Sequence, residues 1–325
     1  MREPASMACR AAVREALADL PAGSQVLIAC SGGPDSLALA AATAWVAERR
    51  GVSAGAVCVD HRLQDGSWEV ARRAAEDCRR LGLGPVQIVS VDVPVGTGDG
   101  PEAAARGARY AALGAAAADL GAAAILLGHT RDDQAEQVLL GLIRGAGVRS
   151  LAGMPPARGL LRRPFLRLSR ADTAASCAEL GLTPWNDPHN ADDRFARVRV
   201  RRLLADLTER VDPAIGAALA RTAALARVDA DYLDAQAGEA LERLGAPPWP
   251  VPALAALEPA IRGRVWRAGL IAAGAPAGGL ALRHTDACDR LLTRWRGQGA
   301  IAIPGGLSVH RRDGQVVITP RPAVD

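Results

Sequence analysis

Six consecutive residues, Ser-Gly-Gly-Pro-Asp-Ser at 31–36, place two glycines, two hydroxyls and a carboxylate between two apolar segments. The segment at 26–30 predicts a buried strand, and the Ala/Leu-rich segment that continues through Trp45 predicts a helix. A glycine loop between a strand and a helix N-terminus suits phosphate, because the N–H groups of the first helical turn have no partners inside the helix. Phosphate would repel Asp35, so we expect this carboxylate to hold a Mg²⁺ that bridges phosphate groups.

A second polar cluster stands in the segment LLGHTRDDQAEQVLL, directly after a predicted strand. His129, Asp132, Asp133 and Glu136 have relative offsets of 0, 3, 4 and 7, which would share one face of a helix. Burying so many polar groups is costly unless they bind something. Three interpretations remain open from the residues: metal ligands, a pocket for a cationic substrate, or a helix start where acids favour the dipole.

The basic residues exclude several enzyme classes. All 39 are arginine, and the chain contains no lysine, so a P-loop lysine, a protein-kinase lysine and a lysine Schiff base are excluded. Two arginine runs have no acid between their members: Arg158, Arg162, Arg163, Arg167 and Arg170, and then Arg194, Arg197, Arg199, Arg201 and Arg202. Guanidinium clusters suit phosphate, although the net charge of +4 by itself does not indicate nucleic acid.

Strand and helix patterns alternate through the first half of the chain. Strands are predicted at 26–30, 52–60, 85–91 and 122–128, and helices at 8–20, 67–81, 101–120 and 131–144. This alternation predicts an α/β fold with a parallel sheet covered by helices on both faces. Ligands bind at the carboxyl ends of such strands, where the phosphate loop, His61 and His129 all stand.

The second part of the chain is predicted to be mainly helical. Ser169 could cap a helix to Leu180, and further helices are predicted at 197–226, 227–244, 253–273 and 281–296. The tail at 300–320 alternates like a hairpin with Asp313-Gly314 as its turn. We place a boundary near 208–215, giving domains 1–210 and 211–325.

The six cysteines contain no CxxC pair, which argues against a zinc ribbon or a CxxC redox site and suits a reducing cytoplasm. We find neither an export signal nor a membrane span, so a cytoplasmic protein is expected. The sequence leaves the oligomeric state open, with a homodimer as one arrangement.

Several segments resemble known families. The SGGPDS loop resembles the PP-loop of ATP pyrophosphatases, a Rossmann-like fold. Together with VDHRL (59–63), AARGARYAAL (104–113), LGHTRDDQAE (127–136), RRPFL (162–166) and WNDPHNADDRFARVRVR (185–201), it resembles tRNA(Ile)-lysidine synthetases. The motifs occur in the order of that family and reach from residue 26 to about 201. The helical region beyond resembles the smaller second domain of that family more loosely.

The resemblance implies an ATP- and Mg²⁺-dependent ligase that adenylates carbon 2 of the wobble cytidine in a tRNA(Ile) with a CAU anticodon. The L-lysine ε-amine then displaces AMP. The ATP site is assigned to Ser31, Gly32, Gly33, Pro34, Asp35, Ser36 and His61, with Asp35 on the metal. Arg109 would stabilise the α-phosphate, and His129 would border the nucleotide. The lysine site is assigned to Asp132, Asp133 and Glu136, with the last two in catalysis, and tRNA contacts to Arg163, Arg197 and Arg201.

This chain departs from the family pattern in three places. The histidine motif continues as His61-Arg62-Leu63-Gln64, a glutamine at 137 replaces threonine, and RVRVR at 197–201 lacks an asparagine. We also expect the chain to lack the further C-terminal domain of longer members, so that 211–325 recognises the body of the tRNA.

Three other classes remain as alternatives. A PP-loop tRNA thiolase would need reactive or cluster-binding cysteines, and an amide-forming PP-loop enzyme would not need two arginine runs. A non-catalytic RNA-binding protein would be expected to lose Asp35 or the acids at 132, 133 and 136, which are intact.

Overall fold

The computed structural model describes residues 4–62, 66–92, 101–185 and 196–321, without the side chains of 101–103. The chain divides after Arg227 into two compact units. The segment 186–195, which continues the WNDP motif after Trp185 and includes Arg194, lies outside the described residues. Leu63 also lies outside them. The sequence predicts a domain boundary near 208–215, which differs from this division after Arg227 and stays a prediction.

The first unit is built on a mostly parallel sheet. Its strands are β1 (Gln25–Ala29), β2 (Ser53–Asp60), β3 (Val86–Ser90), β4 (Ala124–Leu127), β5 (Ala157–Arg158) and β6 (Leu161–Arg162). They lie in the order β3-β2-β1-β4-β6-β5, and only the β5–β6 pair is antiparallel. The predicted α/β fold is therefore confirmed. The sequence missed β5 and β6, because two residues are too few to show an alternating pattern.

Helices cover both faces of this sheet. They are α1 (Ala5–Ala16), α2 (Pro34–Arg50), α3 (Ser67–Arg80), α4 (Pro101–Asp119), α5 (Arg131–Ile143), α6 (Val148–Leu151), α7 (Arg170–Glu179) and α8 (Ala196–Arg210). Side chains of β1 alternate between two cores: Val26 and Ile28 pack on one face with α2, and Leu27 packs on the other with Leu113 of α4. A strand buried on both faces explains the continuous apolar sequence of β1.

A long helix, α9 (Ile215–Leu244), corrects the predicted break between residues 226 and 227. The break lies instead at 211–214, before α9. Pro213 cannot donate a helical hydrogen bond and disfavours helical geometry at Asp212, whose carboxylate accepts the Ala214 N–H at 2.7 Å. The sequence around 227 contains no glycine or proline that would end a helix.

The second unit, after Arg227, adds α10 (Val251–Ala255), α11 (Pro259–Ala272), α12 (Leu282–Thr293) and a small sheet of β7 (Trp249–Pro250), β8 (Ile301–Ile303), β9 (Leu307–Arg312) and β10 (Gln315–Pro320). The strand order is β7-β10-β9-β8, all antiparallel. Asp313 and Gly314 both have positive φ, at 48° and 74°, as a tight hairpin turn requires. The predicted helix at 253–273 is two helices, because Pro259 begins a new one.

Candidate active site

The loop between β1 and α2 has the geometry that its sequence predicts. Gly32 has φ +80°, a conformation in which a side chain would be strained, and Gly33 is the N-cap of α2. The Ser36 hydroxyl accepts the Ser31 N–H at 3.2 Å and donates to the Gly33 carbonyl at 2.9 Å. These bonds close the loop on itself and leave the N–H groups of the first turn of α2 without helical acceptors.

This loop lies at the switch point of the sheet. β1 has β2 on one side and β4 on the other, so the carboxyl ends of β1 and β4 lie side by side. A Cβ on Gly128, directly after β4, would lie 3.0 Å from the carbonyl oxygen of Asp35. Glycine at 128 therefore permits the first turn of α2 to approach the end of β4 closely, at the edge where open α/β sheets bind their ligands.

Asp35 is a carboxylate in a mostly buried setting. The pKa of Asp35 is raised to about 6, mainly by burial and also by the negative charges of Asp133 and Asp132, while the hydrogen bond from Thr173 and the Arg170 charge act to lower it. Thr173 of α7 donates its hydroxyl to Oδ1 of Asp35. Within the described residues Oδ2 accepts no hydrogen bond, so one carboxylate oxygen is available to a cation. No pattern in the sequence pointed to Thr173.

Two neutral histidines and an arginine lie at the carboxyl edge of the sheet and influence one another electrostatically. Burial and then the Arg109 charge lower the pKa of His61, and burial lowers the pKa of His129 to about 3, helped by Arg109. Among the described residues, Nδ1 of each histidine is buried without a hydrogen-bond partner, and no carboxylate lies within ion-pair distance of Arg109. Unpaired buried polar atoms are uncommon, so both Nδ1 atoms are free to hydrogen-bond a ligand.

Asp60 holds the turn that carries His61. Its carboxylate accepts the Arg62 N–H at 3.0 Å and the Ser67 and Ser90 hydroxyls at 2.6 and 3.2 Å. Burial acts to raise the pKa of Asp60, but these hydrogen bonds outweigh it and lower the pKa. Asp60 is thus an ionised anchor at the end of β2.

The four polar residues at 129–136 do not share one helix face. α5 begins after the N-cap Thr130, so His129 precedes the helix. Asp133 accepts the Thr130 N–H at 2.8 Å and caps the helix, while Asp132 accepts the Arg170 N–H at 2.9 Å. The offset argument for a common face is corrected, because the strand-to-helix turn interrupts the helical period between 129 and 131. The helix-start interpretation holds for Asp133.

Glu136 instead lies at the centre of an ion-pair network. Its side chain is 1% exposed, and its oxygens accept from Arg170 at 2.8 Å, Arg197 at 2.9 Å and Arg201 at 2.9 Å. Arg170 also bonds Asp133 at 2.6 Å. The buried acids therefore bind cations, and in this state those cations are guanidinium groups of the chain itself. The sequence suggested Arg170 only as a member of an arginine run.

The arginines assigned to tRNA have different environments. Arg163 is buried and donates to the Pro155 carbonyl at 2.9 Å, so the expectation that it contacts tRNA does not fit this structure. Arg197 and Arg201 are partly exposed but are engaged by Glu136. Among the described members of the two arginine runs, the exposed ones are Arg158, Arg167, Arg199 and Arg202.

Three cysteines cluster beneath the loop, although the sequence scatters them. Cys30, Cys58 and Cys78 are buried, with all three Sγ atoms within 4.8 Å of one another. Hydrogen bonds from the Cys58 and Cys78 thiols lower the pKa of Cys30. Their burial keeps these sulfurs away from the surface, so they do not provide the accessible, reactive cysteine that is one of the two requirements named for the thiolase alternative.

Comparisons with known proteins agree with the motifs. A family model described as a PP-loop domain matches residues 6–208, and one described as a TilS substrate binding domain matches 250–317. The tRNA(Ile)-lysidine synthase of Thermobifida fusca is 54% identical over 313 residues, which cover 95% of this chain and 96% of that protein. The synthase of Salinispora tropica is 55% identical over 320 residues, covering 96% of each chain.

Among solved structures, the U34-tRNA thiolase NcsA from Methanococcus maripaludis, with its [4Fe-4S] cluster, superposes with a TM-score of 0.57. It covers 67% of this chain and 78% of its own, at 19% identity, which shows a shared fold alone. The sequence relatives are more than half identical across nearly the whole chain, and they confirm the resemblance of the motifs: this chain belongs to the tRNA(Ile)-lysidine synthase family.

Proposed function

We propose that this chain is an ATP-dependent ligase that joins L-lysine to carbon 2 of the wobble cytidine of a tRNA(Ile) with a CAU anticodon. In the first step the cytosine O2 attacks the α-phosphorus of ATP, the bond to the bridging oxygen breaks, and pyrophosphate leaves. In the second step the lysine ε-amine attacks carbon 2, the carbon–oxygen bond breaks, AMP leaves, and the amine loses a proton.

One observation carries the proposal: α7 contacts both groups, since Thr173 donates to Asp35 of the phosphate loop while Arg170 donates to Asp132 and Asp133. In this proposal, the site for a triphosphate and the site for a cationic amine are therefore adjacent. That adjacency is what a reaction needs when an adenylate forms first and an amine then displaces it.

The loop at 31–36 would bind the pyrophosphate end of ATP through its N–H groups and hydroxyls. Asp35 fits as the Mg²⁺ ligand, because it offers a hard oxygen donor beside the loop and its Oδ2 accepts no hydrogen bond from the described residues. Bound there, Mg²⁺ would neutralise charge on the phosphates. Arg109, which no described carboxylate pairs, would stabilise charge developing on the α-phosphate. The unpartnered Nδ1 atoms of His61 and His129 would hydrogen-bond the nucleotide.

Lysine would bind at Asp132, Asp133 and Glu136 in exchange for an arginine. Glu136 already accepts from three guanidinium groups, so an ammonium entering this cluster takes the place of one of them. Arg201 has the largest exposed fraction of the three, 35% against 29% for Arg170 and 24% for Arg197. We infer that Arg201 leaves, and that a tRNA phosphate accepts its guanidinium. Arg197 would contact tRNA at the same helix.

No helix among the described residues has the length and apolar character needed to cross a membrane. A cytoplasmic location follows from the proposed tRNA substrate, and a homodimer is part of the proposal that gel filtration with light scattering would test. Residues 211–325 are proposed to bind the body of the tRNA.

The decisive experiment is mass spectrometry of nucleosides from unmodified tRNA(Ile) incubated with the protein, ATP and L-lysine. We expect lysidine at one position per tRNA, and none with a methionine tRNA that has the same anticodon. Pyrophosphate exchange measured with and without tRNA separates activation from amine transfer. A thiolated nucleoside, or exchange that needs only a small carboxylic acid, would contradict the proposal.

A further inference from the structure

Three thiols from separate elements converge at the base of the phosphate loop. Cys30 follows β1, Cys58 lies on β2 and Cys78 on the last turn of α3, with exposures of 3%, 0% and 0%. Cys30 and Cys58 directly follow the in-register pair Ala29–Val57 of two parallel strands, so their side chains leave the sheet on the same face. Among the described residues, these three cysteines form the group of metal-ligating side chains whose donor atoms all lie within 4.8 Å of one another.

We propose that Cys30, Cys58 and Cys78 form a binding site for one thiophilic d¹⁰ cation, held by three sulfur atoms. Metal–sulfur bonds of about 2.3 Å place three sulfurs around a central ion about 4 Å apart. The sulfur positions, within 4.8 Å of one another, reach that geometry by a contraction of less than about 1 Å per pair. The three cysteines belong to neither the proposed ATP site nor the proposed lysine site, although Cys30 directly precedes the phosphate loop and its sulfur lies 3.8 Å from the Ser36 hydroxyl of that loop.

The donor set selects the class of ion. Three sulfurs are soft ligands that favour Cu⁺ or Zn²⁺ and not Mg²⁺ or Ca²⁺. No imidazole or carboxylate of the described residues completes a fourth position in this group, and three-coordination suits Cu⁺. Zn²⁺ would need a fourth donor, and the Ser36 hydroxyl, 3.8 Å from the Cys30 sulfur, is placed to provide it after a small shift.

Loading the site is a proton-for-metal exchange. Three S–H bonds lose their protons and three metal–sulfur bonds form, leaving a net charge of −2 with Cu⁺ or −1 with Zn²⁺. A buried anion needs nearby positive charge. The guanidinium groups of Arg79 and Arg109 lie within electrostatic reach of Cys58 and Cys30, respectively. The bound ion would link two strands and a helix, so the loaded protein should resist unfolding better than the free protein.

The test uses the full chain, kept reduced under anaerobic conditions. In one arm it is titrated with Cu⁺ in competition with a chromophoric copper(I) chelator, and in the other with Zn²⁺ in competition with a zinc indicator. We expect one equivalent of at least one ion to bind, three sulfur neighbours in X-ray absorption, and a higher Tm. Three sulfurs alone identify the Cu⁺ arm, and three sulfurs with one oxygen identify the Zn²⁺ arm.

Cys78→Ala should lose the bound ion, whereas Cys288→Ala, which removes an equally buried cysteine elsewhere, should retain it. The proposal is overturned if neither ion binds stoichiometrically, if X-ray absorption counts fewer than three sulfurs, or if Cys288→Ala abolishes binding. X-ray absorption on the unmodified chain keeps the test valid even if Cys78→Ala folds poorly.

Discussion

Asp35 shows how a functional side chain can oppose stability. Its folded-state pKa of about 6 lies above the ordinary value of 3.8, so ionisation is less favourable in the folded chain than in the unfolded chain. The stabilisation from its neutral form is complete below 3.8 and is lost as the pH rises through about 6. At neutral pH the folded protein therefore carries an ionised carboxylate that destabilises the fold, and a bound cation would offset this cost.

Asp35→Asn should therefore stabilise the nucleotide-free protein by about 1–3 kcal/mol at pH 8 and have little effect at pH 4. The same change should abolish pyrophosphate exchange, because an amide is a poor Mg²⁺ ligand beside phosphates. Urea unfolding at the two pH values and an exchange assay measure both effects. Asp286→Asn, at an exposed carboxylate, is the control. An unchanged unfolding free energy, or exchange at the normal rate, would refute this role.

Glu136→Gln should separate the two half-reactions. A charge-assisted hydrogen bond contributes about 1.5–3 kcal/mol, so the KM for lysine should rise by about one to two orders of magnitude. Adenylated tRNA should still form and should accumulate at low lysine, because amine attack comes second. Quenched-flow assays follow the two products, and thermal unfolding reports the loss of charge facing three arginines.

Glu48→Gln, at an exposed glutamate on α2, should leave both half-reactions intact. If adenylation itself collapses in Glu136→Gln while the protein stays folded, Glu136 serves the first step and the lysine assignment fails. Unchanged lysine KM would mean that Glu136 only organises the arginines.

At the scale of elements, α8 delivers two arginines to one carboxylate on α5. Arg197 and Arg201 are four residues apart, one helical turn, and so they reach Glu136 from the same face. Ala135 of α5 packs with Val200 and Leu204 of α8 in a small apolar cluster that fixes this arrangement. The packing of two helices, and not a local motif, thus determines the charge balance of the site.

Arg201→Ala should weaken tRNA binding and reduce the slope of log K against log salt by about 0.7–0.9, the value of one phosphate contact. Filter binding across a salt series measures it. Arg72→Ala provides a matched control, because this arginine on α3 is also engaged by glutamates, Glu69 and Glu76. A salt slope equal to that of the unmodified protein would place Arg201 away from the tRNA.

At the scale of the whole molecule, each unit has its own apolar core. The core of the second unit includes Trp249 and Trp266, whose rings meet edge to face with centroids 6.0 Å apart. Gly269 of α11 lies against the Trp249 indole, which a Cβ at this position would overlap. The close approach of helix and indole therefore requires glycine there.

Gly269→Ala should destabilise the second unit by about 1–3 kcal/mol, because overpacking displaces the indole. ATP binding by the first unit should persist, since its core shares no residues with that of the second. Calorimetry should show one transition shifted down and the other unchanged. Gly263→Ala, on the same helix with nothing within 4 Å, should be neutral or stabilising. Equal shifts of both transitions would contradict independent cores.

Local features of this protein could be predicted because neighbouring residues produce them. The phosphate loop depends on six consecutive residues, and Ser169 caps α7 through Asp172 three residues on, as predicted. The alternation of strands and helices predicted the parallel sheet, since a buried strand and a covering helix have different hydrophobic periods. The ends of β1, β2 and β4 then placed the loop, His61 and His129 at one edge.

Contacts between distant residues were decided by the tertiary structure. Glu136 meets Arg197 and Arg201 across 61 and 65 residues, a pairing that depends on how α5 and α8 pack. The same holds for the thiol cluster: Cys30, Cys58 and Cys78 are unremarkable one at a time, and only the β1–β2 register and the seating of α3 bring their sulfurs together. Sequence patterns report local geometry, whereas such clusters arise from the packing of whole elements, which no short pattern encodes.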